Sequence, residues 1–328
     1  MKAKTLKKGL GIVLSMAMTM SLFGCGSGDS TKEQAADTSE TSEVASKDSD
    51  TDKGGKDMTF WIFLDPKSTE DPRSVVLSNI VKEYNETNQY GNTVTVESFN
   101  YSVFESQAIQ AAAAGTNTIP ILGTAVTDYG VALDIDNFDG TVGGNISGTA
   151  DLAPLDGQAD MLHELFPDAK KVGLLYCSAE ANSQFQVDTI KEYLEKLGYT
   201  CEYYAFSDSN DLSSVCTSAA NDSDVIYVPT DNTVANNTEI VNNICTPAGV
   251  PVIAGEEGIC KGCGVATLSI SYYDLGVATG KMAVKVLQGE DISTMPVEYA
   301  PTFTKEYVAS RCEAYGITVP DDYVALEE

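Results

Sequence analysis

Basic residues are scarce in this chain, and histidine is nearly missing. Against 48 Asp and Glu stand 20 Lys and Arg, with one His in 328 residues, for a net charge of −28. A polyanion of this kind is repelled by nucleic-acid phosphates and by anionic membrane surfaces, which excludes a nucleic-acid partner. A single histidine leaves nothing with which to build a histidine-rich metal site or a proton relay. That residue, His163, sits in Met161-Leu162-His163-Glu164-Leu165-Phe166 just before Pro167, a helix-end position suited to structure. There is no Gly-x-Ser-x-Gly elbow, no Gly-x-x-x-x-Gly-Lys-Ser/Thr and no Gly-x-Gly-x-x-Gly. No enzymatic activity, metal or cofactor is expected.

Long apolar runs are missing beyond the first 24 residues. Residues 1–24 read as a lipoprotein signal peptide: Lys2, Lys4, Lys7 and Lys8 precede an apolar stretch from Leu10 to Phe23, too short to span a bilayer comfortably. Leu22-Phe23-Gly24-Cys25 looks like a lipobox, with Cys25 as the lipidated first residue of an exported, membrane-anchored protein. Removing the leader takes the net charge to −32. Residues 25–57 are small, polar and charged, and cannot bury enough surface to offset their chain entropy. They read as a disordered tether.

Seven cysteines follow Cys25: Cys177, Cys201, Cys216, Cys245, Cys260, Cys263 and Cys312. An odd, scattered set is not a disulfide framework. Cys260-Lys261-Gly262-Cys263 has redox or zinc spacing, but no second pair exists for zinc. It reads as a glycine-rich turn between strands, free or disulfide-bonded.

The folded body begins at residue 58. From Ala169 onward short apolar runs alternate with helical patterns. Val172–Tyr176, Cys201–Phe206, Asp224–Val228, Val250–Ala254 and Val265–Ile270 read as strands. Ile190, Tyr193, Leu194 and Leu197 mark a helix ending at Gly198. Asp211–Ala219 and Thr233–Ile244 predict further helices, and Leu275, Ala278, Met282 and Val286 a closing one. Such alternation implies right-handed βαβ units and a doubly wound parallel α/β sheet. Earlier in the chain, Thr59–Phe63, Val94–Val96 and Ile119–Val126 read as strands. Helices are expected after Asp71-Pro72 and over Ser102–Ala114. Gly140–Asp151 reads as a hinge between a first lobe (58–145) and a second (146–290), with a crossover and return over 291–328.

In such sheets ligands bind beyond the carboxyl ends of strands, where loops feed helix N-termini. Four loops there are polar: Thr124–Asp128, Cys177–Ser183, Pro229–Thr233 and Gly255–Gly258. Hydroxyls and N–H groups suit a carboxylate, and acids suit an ammonium, so together they match an amino acid. Each residue alone is equally an ordinary helix cap. The candidates for the carboxylate are Ser178, Asn182 and Ser183. Thr230, Asp231, Asn232 and Glu256 would orient the ammonium or other polar groups. Thr124 and Asp128 would close from the first lobe, with Ser271 near a crossover.

From about Ser106 the chain resembles ABC-transporter substrate-binding proteins of the tryptophan/tyrosine type. The resemblance lies in Ile119-Pro120-Ile121 through Asp128, Gly143-Gly144-Asn145 with Ser147-Gly148-Thr149, and Leu165–Lys170. It continues through Val172–Ser183, Ile226–Thr233, Pro251–Ala254 and Tyr272–Gly276. It implies two α/β lobes of the type I periplasmic-binding kind, closing on an aromatic amino acid. It also implies an ABC permease and its ATPase as partners. Residues 58–115 instead resemble the opening of a family 1 extracellular sugar-binding lipoprotein, so the chain reads as a mosaic. By this comparison its first lobe is reduced or altered by one helix–strand unit. A sugar ligand, or an incomplete cleft that binds nothing, are the competing expectations.

Overall fold

A computed structural model describes residues 55–62, 64–98 and 112–327. The expected leader, Cys25, all but the last residues of the tether and most of Ser102–Ala114 lie outside the described residues. Strands β1 (Asp57–Ile62) and β2 (Thr93–Ser98) run parallel in register from Asp57↔Thr93 to Ile62↔Ser98, joined by helix α1 (Pro72–Thr87). Asp71 starts α1 by accepting from the Arg73 amide, and Pro72 occupies a first-turn position where no donor is needed. Burial here is slight. Within α1 the buried residue is Ser74, while Phe60, Val76 and Ile80 are exposed.

A second, three-stranded parallel sheet follows. Strand β4 (Ile146–Ala150) lies between β3 (Ile121–Gly123) and β10 (Glu298–Tyr299). All five residues of β4 are buried. Helix α2 (Tyr129–Leu133) places Tyr129 in the same core with Val126, Ala132 and Ile146. Gly148 holds φ +149, and a Cβ there would fall 2.1 Å from the Gly123 carbonyl oxygen, so only glycine lets β3 and β4 approach this closely.

The large sheet is built as the apolar runs demand. Around it lie α3 (Leu155–Leu165), β5 (Lys171–Cys177), α4 (Ala181–Lys196), β6 (Thr200–Phe206), α5 (Ser209–Asp222) and β7 (Val225–Val228). Then come α6 (Asn232–Ala235), α7 (Thr238–Ala248), β8 (Val252–Ala254), α8 (Glu257–Cys263) and β9 (Ala266–Ser269). Helix α9 (Tyr272–Leu287) leads to β10, and β11 (Thr304–Tyr307), α10 (Ala309–Tyr315) and β12 (Val324–Ala325) return to the large sheet. Its strand order is β12-β11-β9-β8-β7-β5-β6. One core lies on each face. Leu175, Phe206, Leu212, Ile226 and Val241 fill one, and Leu162, Leu174, Ile190, Leu194 and Ile253 the other. Truncating a fully buried residue such as Leu174 to Ala costs about 2–5 kcal/mol.

The α/β architecture with parallel sheets matches the expectation; among the described residues the strands form three sheets, and β1 pairs with β2 alone. Several details differ. The large sheet is mixed, because β11 runs antiparallel to β9. Gly140–Asp151 is not a bare hinge, since residues 146–150 form the buried centre of the smaller sheet, and the chain crosses to the large sheet after Ala150. The helix expected over Thr233–Ile244 is two helices, with Asn236-Asn237 between them. Cys260 and Cys263 lie on helix α8, not in a turn, and both are buried free thiols. Helix α9 packs on β3 and β4 rather than on the second lobe. Apolar spacing records that a helix has a buried face but not which sheet receives it.

Candidate ligand-binding cleft

The carboxyl ends of β5 and β7 are tied together by acids. Asp231, 1% exposed, accepts from the Cys177 amide at 2.7 Å and from the Val234 amide at 2.9 Å. One carboxylate thus caps α6 and fixes the end of β5. Glu180 reaches across the same gap. One oxygen accepts from the Asn232 amide (2.9 Å) and Nδ2 (3.0 Å), the other from the Thr233 amide (2.9 Å) and hydroxyl (2.7 Å). Gln186 completes the lattice: its Nε2 donates to the carbonyls of Asn182 and Thr230, and its Oε1 accepts from the Thr230 amide at 3.1 Å. Asn182 Nδ2 donates to the Thr230 carbonyl at 3.1 Å. Burial pushes the Asp231 carboxyl up to about 7, and the Glu180 charge adds to the shift. Amide donation from Cys177 and Val234 opposes it.

Opposite stands the end of β3. Ala125 adopts φ 56, unusual for a residue with a side chain, and its amide donates to Thr149 Oγ1 at 3.3 Å. The Val126 amide donates to the Thr149 carbonyl at 3.1 Å. Asp128 caps α2 by accepting from the Val131 amide at 2.9 Å. Val126, Thr127, Asp128, Val131 and Ala132 face Ala181 and Asn182 across a crevice of ≈ 10 Å³. That is roughly the space of one water, so the two walls are in contact and an amino acid requires them to part.

The sequence-derived candidates divide into three groups. Asp128 and Asn182 line the crevice. Ser183, Thr230, Asp231 and Asn232 cluster with Glu180 and Gln186 behind it, with Ser183 fully buried. The others lie elsewhere. Thr124 is exposed at the end of β3, and Ser178 is exposed with its hydroxyl donating to the Phe206 carbonyl at 3.1 Å. Glu256 caps α8 by accepting from the amides of Gly258 and Ile259. Burial raises its carboxyl above the usual range, against the pull of those two donors. Ser271 caps α9 through the Asp274 amide at 3.1 Å. The lone His163 shares a 2.9 Å hydrogen bond with the Tyr199 hydroxyl, which donates to the Phe166 carbonyl.

Glu180 and Gln186 escaped the sequence reading. Glu180 looks like one more acid in an acidic chain, and its partners lie 52 and 53 residues away.

The three-stranded and seven-stranded sheets, joined by crossovers and with polar strand ends facing across a crevice, have the form of a two-lobed binding protein. Residues 102–326 match the family described as ABC transporter substrate binding protein, and the chain belongs to that family. A tyrosine-binding protein of Clostridioides difficile (strain R20291) is 36% identical over 188 residues, 57% of this chain. The match spans about half, 54%, of that relative's length. Among solved structures, the ABC domain from Streptococcus pneumoniae in complex with L-Trp superposes with a TM-score of 0.70 at 26% identity. It covers 81% of this chain and 96% of the other. The ligand-free, open structure of a substrate binding protein with adhesive properties from Clostridium difficile gives a TM-score of 0.62 at 30% identity. That alignment covers 83% of this chain and all of the other.

Proposed function

We propose that this chain is the extracytoplasmic receptor of an ABC importer. It captures an aromatic amino acid, tyrosine or tryptophan, between its two lobes and presents it to a permease and its ATPase. The observation that carries the reading is the kinship with one relative named for tyrosine binding and one solved with L-Trp. The crevice chemistry supports it. Asp128 supplies a negative charge for an ammonium, Asn182 and Thr127 offer polar groups for the carboxylate, and Val126, Val131 and Ala132 supply apolar surface for a ring. On this reading the ligand replaces the wall-to-wall contact and bridges the parted lobes. The protein is a binder rather than a catalyst, anchored at the outer face of the cytoplasmic membrane through a lipid on Cys25.

Thermal shift of the full chain against tryptophan, tyrosine, phenylalanine, other amino acids and common sugars tests the ligand. A ligand at a hundredfold its dissociation constant stabilises the fold by about 2.7 kcal/mol, a rise of several degrees. A selective rise with one aromatic amino acid is expected. A rise with sugars alone would transfer specificity to the opening segment, and a cooperative melt unmoved by every compound would reject binding. For the anchor, Cys25→Ala should release the protein into the medium and abolish labelling by a fatty-acid analogue.

A further inference from the structure

We infer that Cys216 and Cys245 form a disulfide that ties α5 to α7 behind the cleft: the structure sets their sulfurs 3.7 Å apart, each fully buried. Three of the other thiols are engaged differently. Cys177 donates to the Ser207 carbonyl, Cys263 to that of Ile259 and Cys312 to that of Val265. Cys216 and Cys245 instead face each other across two packed helices. No group of three or more His, Cys, Asp or Glu among the described residues is arranged to hold a metal ion, so the pair is not part of a metal site. The inference rests on the export proposed above, since cytosolic thiols are kept reduced.

The ring closed by this bond contains β7, Thr230 to Thr233 and α6, the segment that Glu180 and Asp231 hold at the cleft. Cross-linking therefore restricts, in the unfolded chain, the very stretch that forms one wall of the site. The hydrogen bond with the neighbouring Cys245 sulfur, and burial after it, push the Cys216 thiol upward, and a suppressed thiolate is a poor nucleophile. The bond accordingly forms while the chain folds and not afterwards.

The oxidant is a small disulfide such as glutathione disulfide. One protein thiolate attacks it, forming a mixed disulfide and releasing one glutathione thiol. The second protein sulfur displaces the other glutathione. Two protein thiols lose two electrons and two protons, and both appear on two molecules of reduced glutathione.

The test refolds the full chain in a glutathione redox buffer, traps with acid and alkylates in denaturant. Trypsin cannot part the two cysteines, because no Lys or Arg lies between them. A protease cutting after Asp and Glu can, at Asp222, Asp224, Asp231 and Glu239, while Glu256 and Glu257 separate them from Cys260 and Cys263. The expected product is a peptide pair linked through Cys216 and Cys245, in a protein melting about 5–10 °C above its reduced form. Cys216→Ser should leave Cys245 alkylated and remove the gain. Alkylation of both cysteines in the refolded wild type, or a link from Cys245 to Cys263, would overturn the pairing. The same trap applied to chain isolated from cells separates the two readings: a link made in the test tube but missing in cells rejects export and leaves the geometry standing.

Discussion

At the scale of single residues, Asp231 shows how a cap and a site element share one side chain. Its carboxyl titrates near 7 in the folded protein against 3.8 in the open chain. The folded state therefore holds the extra proton between those values, and stability from this group is present at low pH and lost as pH rises through 7. Wild type is expected to lose stability from this group as pH rises from about 4 to about 7. Asp231→Asn should flatten that part of the profile, read as the difference between urea midpoints of the two proteins at each pH. An unchanged slope would mean that the group ionises as freely as in the unfolded chain. The sequence exposed Asp231, Asn182 and Thr230 as polar residues after strands, which placed them at the right end of the sheet. It could not expose Glu180, whose role exists only because β5 and β7 are neighbours. Nor could it tell that Glu256 and Ser271 spend their oxygens on their own helices, since a cap and a ligand-binding residue share the same residue types.

Among the elements, α8 depends on a side chain from another helix. Arg311 on α10 donates to the carbonyls of Cys260 and Gly264 through one nitrogen and to those of Lys261 and Gly262 through the other. These are carbonyls at the helix end, where cationic donors are favourable. Arg311→Ala should cost about 1–3 kcal/mol in chemical unfolding. Arg311→Lys should recover less than half of it, because an ammonium cannot present two nitrogens to four acceptors. Equal stability of all three proteins would show that water serves those carbonyls as well. Strands β5, β7, β8 and β9 of the large sheet were legible because their apolar runs are buried on both faces, whereas β11 and β12, partly exposed and without such runs, were not. Residues 257–263 were not, because Gly258 and Gly262 mimic a turn. Glycine is tolerated at 262, where a Cβ would strike Thr238 at 2.2 Å, for packing rather than for bending.

Across the whole molecule, burial is unevenly shared. Strands β5, β7 and β8 lie inside a seven-stranded sheet with a core on each face, whereas β1, α1 and β2 bury little and, among the described residues, β1 and β2 pair only with each other. Native-state hydrogen exchange should divide accordingly. Amides of β5, β7 and β8 should exchange through global unfolding, and those of β1 and β2 through a local opening of lower free energy. Equal protection throughout would mean that the opening segment is locked to the body. The crossing pattern was not legible, because which sheet receives a given strand is decided by contacts far along the chain.

That pattern sets an order for folding. The buried centre of the smaller sheet, β4, takes one of its two neighbours from β10, and Ser147 donates to the Met295 carbonyl 148 residues downstream. Helix α9, which covers the same sheet, also follows strands β5 to β9 of the large sheet. The smaller sheet is therefore completed only when residues 298–299 reach it, and until then β4 lies half-paired. Premature termination anywhere before residue 295 yields a polypeptide whose smaller sheet cannot close, however well its larger one has formed.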